Sequence, residues 1–230
     1  MGQDTDAYEK WTKTYRAFLE SGKTLNWPPT PLVRMFMGNY IPNHVRDFAG
    51  KKVLDVGCGT GNNMGFFGLL GLELYGTEVS DELCDLTRKM VADLGLSLNI
   101  RTGFNRQIPF ESDFFDYLVS WNVIHYENNE KDMIEAIAEY ARVLKPGGRM
   151  FLSTTGTKHM ILKNADIVGP HLYKIGREDD FRKGEVFFYF DSPGYIKYYF
   201  SKSFKDVMVG TVSDFMFTEW QDYFLVTAVK

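Results

Sequence analysis

The stretch Val53-Leu54-Asp55-Val56-Gly57-Cys58-Gly59-Thr60-Gly61-Asn62-Asn63 decides the fold. It reads as a short buried strand that runs into a glycine-rich turn and opens a helix. Glycine has no Cβ, so such a turn lets the backbone come close to a ligand. Asp55 ends the strand beside the turn. A carboxylate there repels a pyrophosphate and suits a cationic ligand carrying an ammonium group. The spacing is G-x-G-x-G; a dinucleotide fingerprint needs a further glycine where this chain has Asn62.

Outward from this turn, strand and helix signals alternate. Strands are expected at 52–56, 73–77, 98–102, 115–120 and 149–154. Helices are expected at 60–70, 80–94 and 130–143, with Ser80 as a cap and Asp81 and Glu82 in the first turn of the second. Lys145-Pro146-Gly147-Gly148 reads as a turn. The rhythm implies an α/β fold, a parallel sheet with helices on both faces. Residues 156–190 break the rhythm and read as an insertion at the C-terminal edge of the sheet. A helix from Asp191-Ser192-Pro193 to about residue 201 and two closing strands, 204–209 and 223–229, follow; a tight connection suits an antiparallel pair. Ahead of the core, Tyr8, Trp11, Tyr15, Phe18 and Leu19 give a leader helix one aromatic face. Trp27-Pro28-Pro29-Thr30-Pro31 breaks it, and Thr30 is expected to cap a second helix, with Pro31 at its first position, that runs to about residue 41. The expected organisation is a helical leader or lid at 1–45 and a catalytic-type domain at 46–230.

Composition agrees with a soluble globular chain: 230 residues, 44% hydrophobic and 24% charged. No apolar run is long enough to span a membrane, and the acidic opening is unlike a secretory signal. A cytoplasmic location is expected. A net charge of −4 argues against a nucleic-acid partner, which needs concentrated Lys and Arg. The two cysteines, Cys58 and Cys84, have no C-x-x-C spacing, so no metal site is expected.

The ordered motifs resemble the class I S-adenosylmethionine-dependent methyltransferases, specifically the small-molecule type. The matching points are the glycine turn, Leu74-Tyr75-Gly76-Thr77-Glu78-Val79-Ser80, Ile108-Pro109-Phe110, Phe115-Asp116-Tyr117-Leu118-Val119-Ser120 and Leu144-Lys145-Pro146-Gly147-Gly148. The resemblance implies a Rossmann-like seven-stranded sheet in the order 3-2-1-4-5-7-6 with strand 7 antiparallel. It implies S-adenosylmethionine as cofactor, with Asp55, Gly57, Cys58, Gly59, Asn62, Glu78 and Val79 around it. Glu78 takes the ribose hydroxyls, since a carboxylate accepts two hydrogen bonds from a cis-diol. Trp121 and Asn122 face the methionine portion. Family members often place Gly-Asp-Ala after the third strand, the Asp accepting from the adenine amino group. Here the sequence is Gly103-Phe104-Asn105, where Phe104 can pack on the ring and Asn105 can supply a polar contact. Tyr8, Trp11 and Tyr15 offer aromatic faces to a sulfonium and a lid that excludes water.

A hydroxyl or protonated amine acceptor needs a base, and His125, after the fourth strand, is the candidate by position. His159, His171, Tyr173 and Arg177 in the insertion are candidate substrate residues. Asn-Pro-Pro-Tyr and Asp-Pro-Pro-Tyr are missing at the fourth strand, which favours a hydroxyl acceptor, a sugar or surface-polysaccharide precursor among them. Nitrogen and carbon acceptors, a catalytically idle cofactor-binding protein and an oxidoreductase are the alternatives. The acceptor and the oligomeric state are not readable from these residues.

Overall fold

The computed structural model describes residues 4–20, 27–44 and 46–230, with the side chains of the first helix covered from residue 9 to residue 17. In chain order the helices and strands are α1 (Asp4–Glu20), α2 (Thr30–Met37), β1 (Lys52–Val56), α3 (Met64–Leu69), β2 (Glu73–Glu78), α4 (Asp81–Asp93), β3 (Leu98–Thr102), β4 (Phe115–Trp121), α5 (Glu130–Val143), β5 (Leu144–Thr155), β6 (Asp166–Gly169), β7 (Leu172–Lys174), β8 (Val186–Phe188), α6 (Pro193–Phe200), β9 (Lys205–Met216) and β10 (Glu219–Val229).

Seven strands form one sheet, ordered β3-β2-β1-β4-β5-β10-β9. β1 pairs in parallel with β2 and β4, β2 with β3, and β4 with β5. β10 runs antiparallel between β5 and β9. Counted within this sheet alone, that is the Rossmann-like order 3-2-1-4-5-7-6. The order reverses between β1 and β4, where open α/β sheets leave a crevice at their carboxyl ends.

Side-chain alternation divides the core. Leu54 and Val56 of β1 join Leu118, Met150 and Leu152 under α5 and α6, whose Met133, Ile137, Tyr140, Ile196 and Phe200 are buried against them. On the other face Val53, Val119 and Phe151 pack against Leu32 and Phe36 of α2, Met64 and Phe67 of α3, and Val91 of α4. Asp55 shares the Val53 face by strand periodicity, so its carboxylate enters a buried layer.

Four local expectations are corrected. The helix placed at residue 60 begins at Met64, because residues 57–61 are taken up by turns with positive φ at Gly57, Gly59 and Gly61. α2 stops at Met37 rather than near residue 41, where Gly38 turns extended while its N–H still bonds Arg34 O at 2.8 Å. Its cap is Pro29, and Thr30 is already helical. The closing strands are much longer than expected, running as a hairpin to Met216 and from Glu219. The insertion is partly ordered as the antiparallel sheet β6-β7-β8. The turn at 145–148 is present as a loop-out within β5, between the Phe115↔Leu144 and Tyr117↔Arg149 pairs. Among the described residues, no helix is long and apolar enough to cross a membrane.

Candidate functional site

A cavity of about 1400 Å³ opens over the carboxyl ends of β1, β2 and β4. Three successive turns shape its floor. Gly57 and Gly59 have φ of +62° and +57°, conformations that cost an L side chain roughly 1–2 kcal/mol. The floor is short of donors and positive charge. Asp55 is 1% exposed, and its Oδ2 accepts from Asn63 Nδ2 at 2.9 Å. Asn63 Oδ1 is buried with no hydrogen-bond partner. Burial pushes the Asp55 carboxyl up to about 7, with the nearby Glu78 adding to the shift. Glu78, at the end of β2, accepts from the N–H of Gly59 at 2.5 Å and of Val79 at 3.2 Å. Burial raises its pKa while these two N–H groups oppose the rise. A ligand bearing an ammonium and a diol supplies what this floor lacks, so the residues fit S-adenosylmethionine.

Of the residues expected at a cofactor, Gly57, Glu78, Val79, Phe104, Asn105, Trp121, Asn122, Trp11 and Tyr15 line the cavity. Asp55, Cys58, Gly59 and Asn62 build the turn beneath: Cys58 N–H bonds Thr77 O at 3.1 Å, and Asn62 Oδ1 accepts from Thr60 Oγ1 at 2.8 Å. The Tyr8 side chain lies outside the described residues. Asn122 is held at φ +59° by Ser153, whose Oγ donates to Asn122 Oδ1 at 2.7 Å.

α1 closes one side. The Trp11 ring stacks on Tyr15 at 5.4 Å and meets Tyr126 and Phe181 edge-on at 5.4 and 4.8 Å. Tyr15 stands directly over Gly59, where an added Cβ would come within 2.8 Å of the phenol oxygen. Arg16 pairs with Glu82 of α4. The insertion adds Val168, Leu172, Val186 and Arg182 to the lining, beside α1 through the Trp11–Phe181 contact. Arg182 is held by Asp180 through Nε at 2.8 Å and a second nitrogen at 2.7 Å. Arg182, Tyr126 and Glu127 were not singled out from the sequence. The only signal available was the charged and aromatic run Asp179-Asp180-Phe181-Arg182.

The residues expected to act on the acceptor sit elsewhere. His125 is 3% exposed, packed on Tyr126 and Phe187 at 4.9 and 4.8 Å, with Nδ1 3.4 Å from Thr154 Oγ1. It lies behind Tyr126 rather than at the cavity wall. His159 is buried and accepts from Ile161 N–H at 3.1 Å. His171 packs on Tyr195, Tyr173 on Tyr189, and Arg177 is engaged by Asp179. His171 thus joins the insertion to α6, while Tyr173 and Arg177 make contacts within it.

Burial lowers the His125 pKa to about 3, with Arg182 contributing. The unfolded chain therefore binds a proton that the folded chain refuses between pH ~6.5 and ~3. Stability contributed by the neutral ring is present above pH ~6.5 and falls as the pH drops through that window. Asp55, with its raised pKa, acts in the opposite sense between about pH 4 and 7. In His125→Phe, the slope of unfolding free energy against pH over this window should be less positive than in the parent by about 1.4 kcal/mol per pH unit, one proton's worth. Urea titrations at several pH values measure it, and parallel slopes would show that the ring protonates equally well in the folded state.

A family model described as a methyltransferase domain matches residues 53–148. The chain is similar to the ubiquinone biosynthesis O-methyltransferase of Shewanella sp. (strain ANA-3), at 25% identity over 67% of this chain and 65% of that protein. It is 30% identical to the probable tRNA methyltransferase 9B of Mus musculus over 53% of this chain and 24% of that one. The chain thus spans under two thirds of either relative. In fold it is similar to a SAM-dependent methyltransferase from Methanosarcina mazei, with a TM-score of 0.68, 14% identity, and coverage of 88% of this chain and 98% of that chain. The matched segment, similar to a methyltransferase domain, contains the glycine turn, Glu78 and the ends of β1 to β4, and the sheet order is that of the similar solved structure.

Proposed function

We propose that this protein transfers the methyl group of S-adenosylmethionine to a hydroxyl oxygen of a small molecule. The observation that carries the reading is the two-sided cavity. Its volume of about 1400 Å³ exceeds the roughly 300–1,000 Å³ of an ordinary single-ligand pocket. One part is the acidic floor, and another is a mixed wall of Val168, Leu172 and Val186 with Arg182, Lys183 and Glu185, which leaves room for a second ligand of different chemistry. The Shewanella relative, named as an O-methyltransferase, supports oxygen as the acceptor atom.

When bound, the cofactor supplies an already activated methyl group. The chain's work is then alignment and exclusion of water. Glu78 holds the ribose, the 57–59 turn and Asn122 line the path of the amino-acid tail, and buried Asp55 favours its positive charge. Trp11, Tyr15 and Tyr126 shield the reacting centre. Val168, Leu172, Val186 and Arg182 form the acceptor wall. His125, the expected base, is separated from the cavity by Tyr126 and made a weak base by burial, so the acceptor's proton is not routed through it.

Purified protein given methyl-labelled S-adenosylmethionine and a small-molecule cell extract should pass label to a low-molecular-weight product in a linkage stable to mild alkali, as an ether is. Label appearing in RNA, or on nitrogen, would reject the hydroxyl small-molecule acceptor. Tight binding with no transfer to any fraction would favour an idle binder.

A further inference from the structure

This inference rests on the reading of Glu78 as the ribose anchor. Strand order then fixes the direction of the ligand. The tail lies over the ends of β1 and β4, and the sugar over the end of β2. The base must continue the same way along the sheet, to the end of β3, where Phe104 and Asn105 line the cavity. An adenine arriving there presents an exocyclic amino group that needs an acceptor, or it loses a hydrogen bond in a desolvated site.

Phe104 offers a ring face and no side-chain acceptor. Its backbone is already closed on Gln107, with N–H to O distances of 3.0 Å in both directions. One carboxylate is drawn to this end of the cavity from another element. Glu127 follows the single turn after β4, is 8% exposed, and lines the cavity. Arg106 Nε lies 3.0 Å from its Oε2, and the Asn105 side chain bonds it as well. The Asn105 amide is itself oriented, since Tyr140 Oη donates to its Oδ1 at 2.6 Å and its Nδ2 donates to Val123 O at 3.4 Å as well as toward Glu127. Ser120 Oγ, 3.0 Å from the same phenol oxygen, continues this buried chain. Two partners occupy part of a carboxylate's roughly four acceptor positions. Glu135 also borders the cavity, but it is half exposed and lies 3.7 Å from Lys131.

We propose that Glu127 is the hydrogen-bond acceptor for the 6-amino group of the cofactor's adenine, standing in for the carboxylate that position 104 does not provide. The acceptor thus comes from the segment after β4 and is held in place by the loop after β3.

Calorimetry on the full chain tests this with three probes: S-adenosylhomocysteine, its 6-oxo analogue S-inosylhomocysteine, and the 6-deamino purine analogue. The parent protein should bind the adenine form about tenfold or more above either analogue. In Glu127→Gln, whose unfolding midpoint without ligand is recorded alongside, the preference over the 6-oxo form should collapse to within about twofold. A variant that keeps the parental preference overturns the proposal. Because the deamino comparison needs no mutation, equal affinity of the parent for the adenine and purine forms overturns it even if the variant fails to fold. A parent protein that binds none of the three removes the cofactor reading itself, and this inference with it.

Discussion

Glu78→Gln should weaken binding of S-adenosylhomocysteine by about 100-fold, close to 3 kcal/mol. The side chain is 5% exposed, and each carboxylate oxygen already takes a backbone N–H, from Gly59 and Val79. These two contacts fix the plane of the carboxylate at the mouth of the glycine turn and aim its remaining lone pairs at the cavity. Hydrogen bonds to a charged group contribute about 1.5–3 kcal/mol each, and a diol makes two. A glutamine has one acceptor oxygen. Its NH₂ must either face a backbone N–H or displace the turn. Calorimetry measures the loss, and a change below about threefold would mean that the ribose is held by other groups.

Gly57→Ala should cost about 2–3 kcal/mol of unfolding free energy and distort the cavity floor. Two effects combine. The residue sits at φ +62°, and its new Cβ would lie 2.9 and 3.0 Å from the two γ-carbons of Val123. The first is a backbone penalty of roughly 1–2 kcal/mol that no neighbour can relieve. The second is steric, against the end of a side chain. Urea unfolding of Gly57→Ala and of Gly57→Ala/Val123→Ala separates them. After correction for Val123→Ala alone, the double variant should recover the steric part and keep the backbone part. Full recovery would show that the left-handed conformation at residue 57 costs nothing.

The legible parts of this protein were those written in periodic or glycine-coded sequence. β1, β3 and α5 lie where their patterns put them, because each buries one face and is bounded by turn residues. The Gly57–Gly61 turn was readable because only glycine tolerates its conformations at low cost. The outer half of the β9–β10 hairpin was not. Beyond Val209 the side chains are largely exposed, and the ladder is held by backbone bonds that any residue can make. β6, β7 and β8 are three or four residues long, too short for an alternation to register. The histidines of the insertion, expected at a substrate, contact Tyr223 and Tyr195 instead of lining the cavity, and composition does not say which way a side chain turns. Glu127 was invisible for a related reason. Its place depends on Asn105 and Arg106, some twenty residues earlier and on a different strand end.

The cavity has two authors. Its floor is built by the segment between residues 53 and 148, while its far wall and cover come from α1 and from β6 to β8, outside that segment. Floor and cover are therefore encoded in separate stretches of chain, which meet where Trp11 touches Tyr126 and Phe181. A change in β6 to β8 falls outside the glycine turn, whereas a change in α1 reaches it, because Tyr15 stands over Gly59.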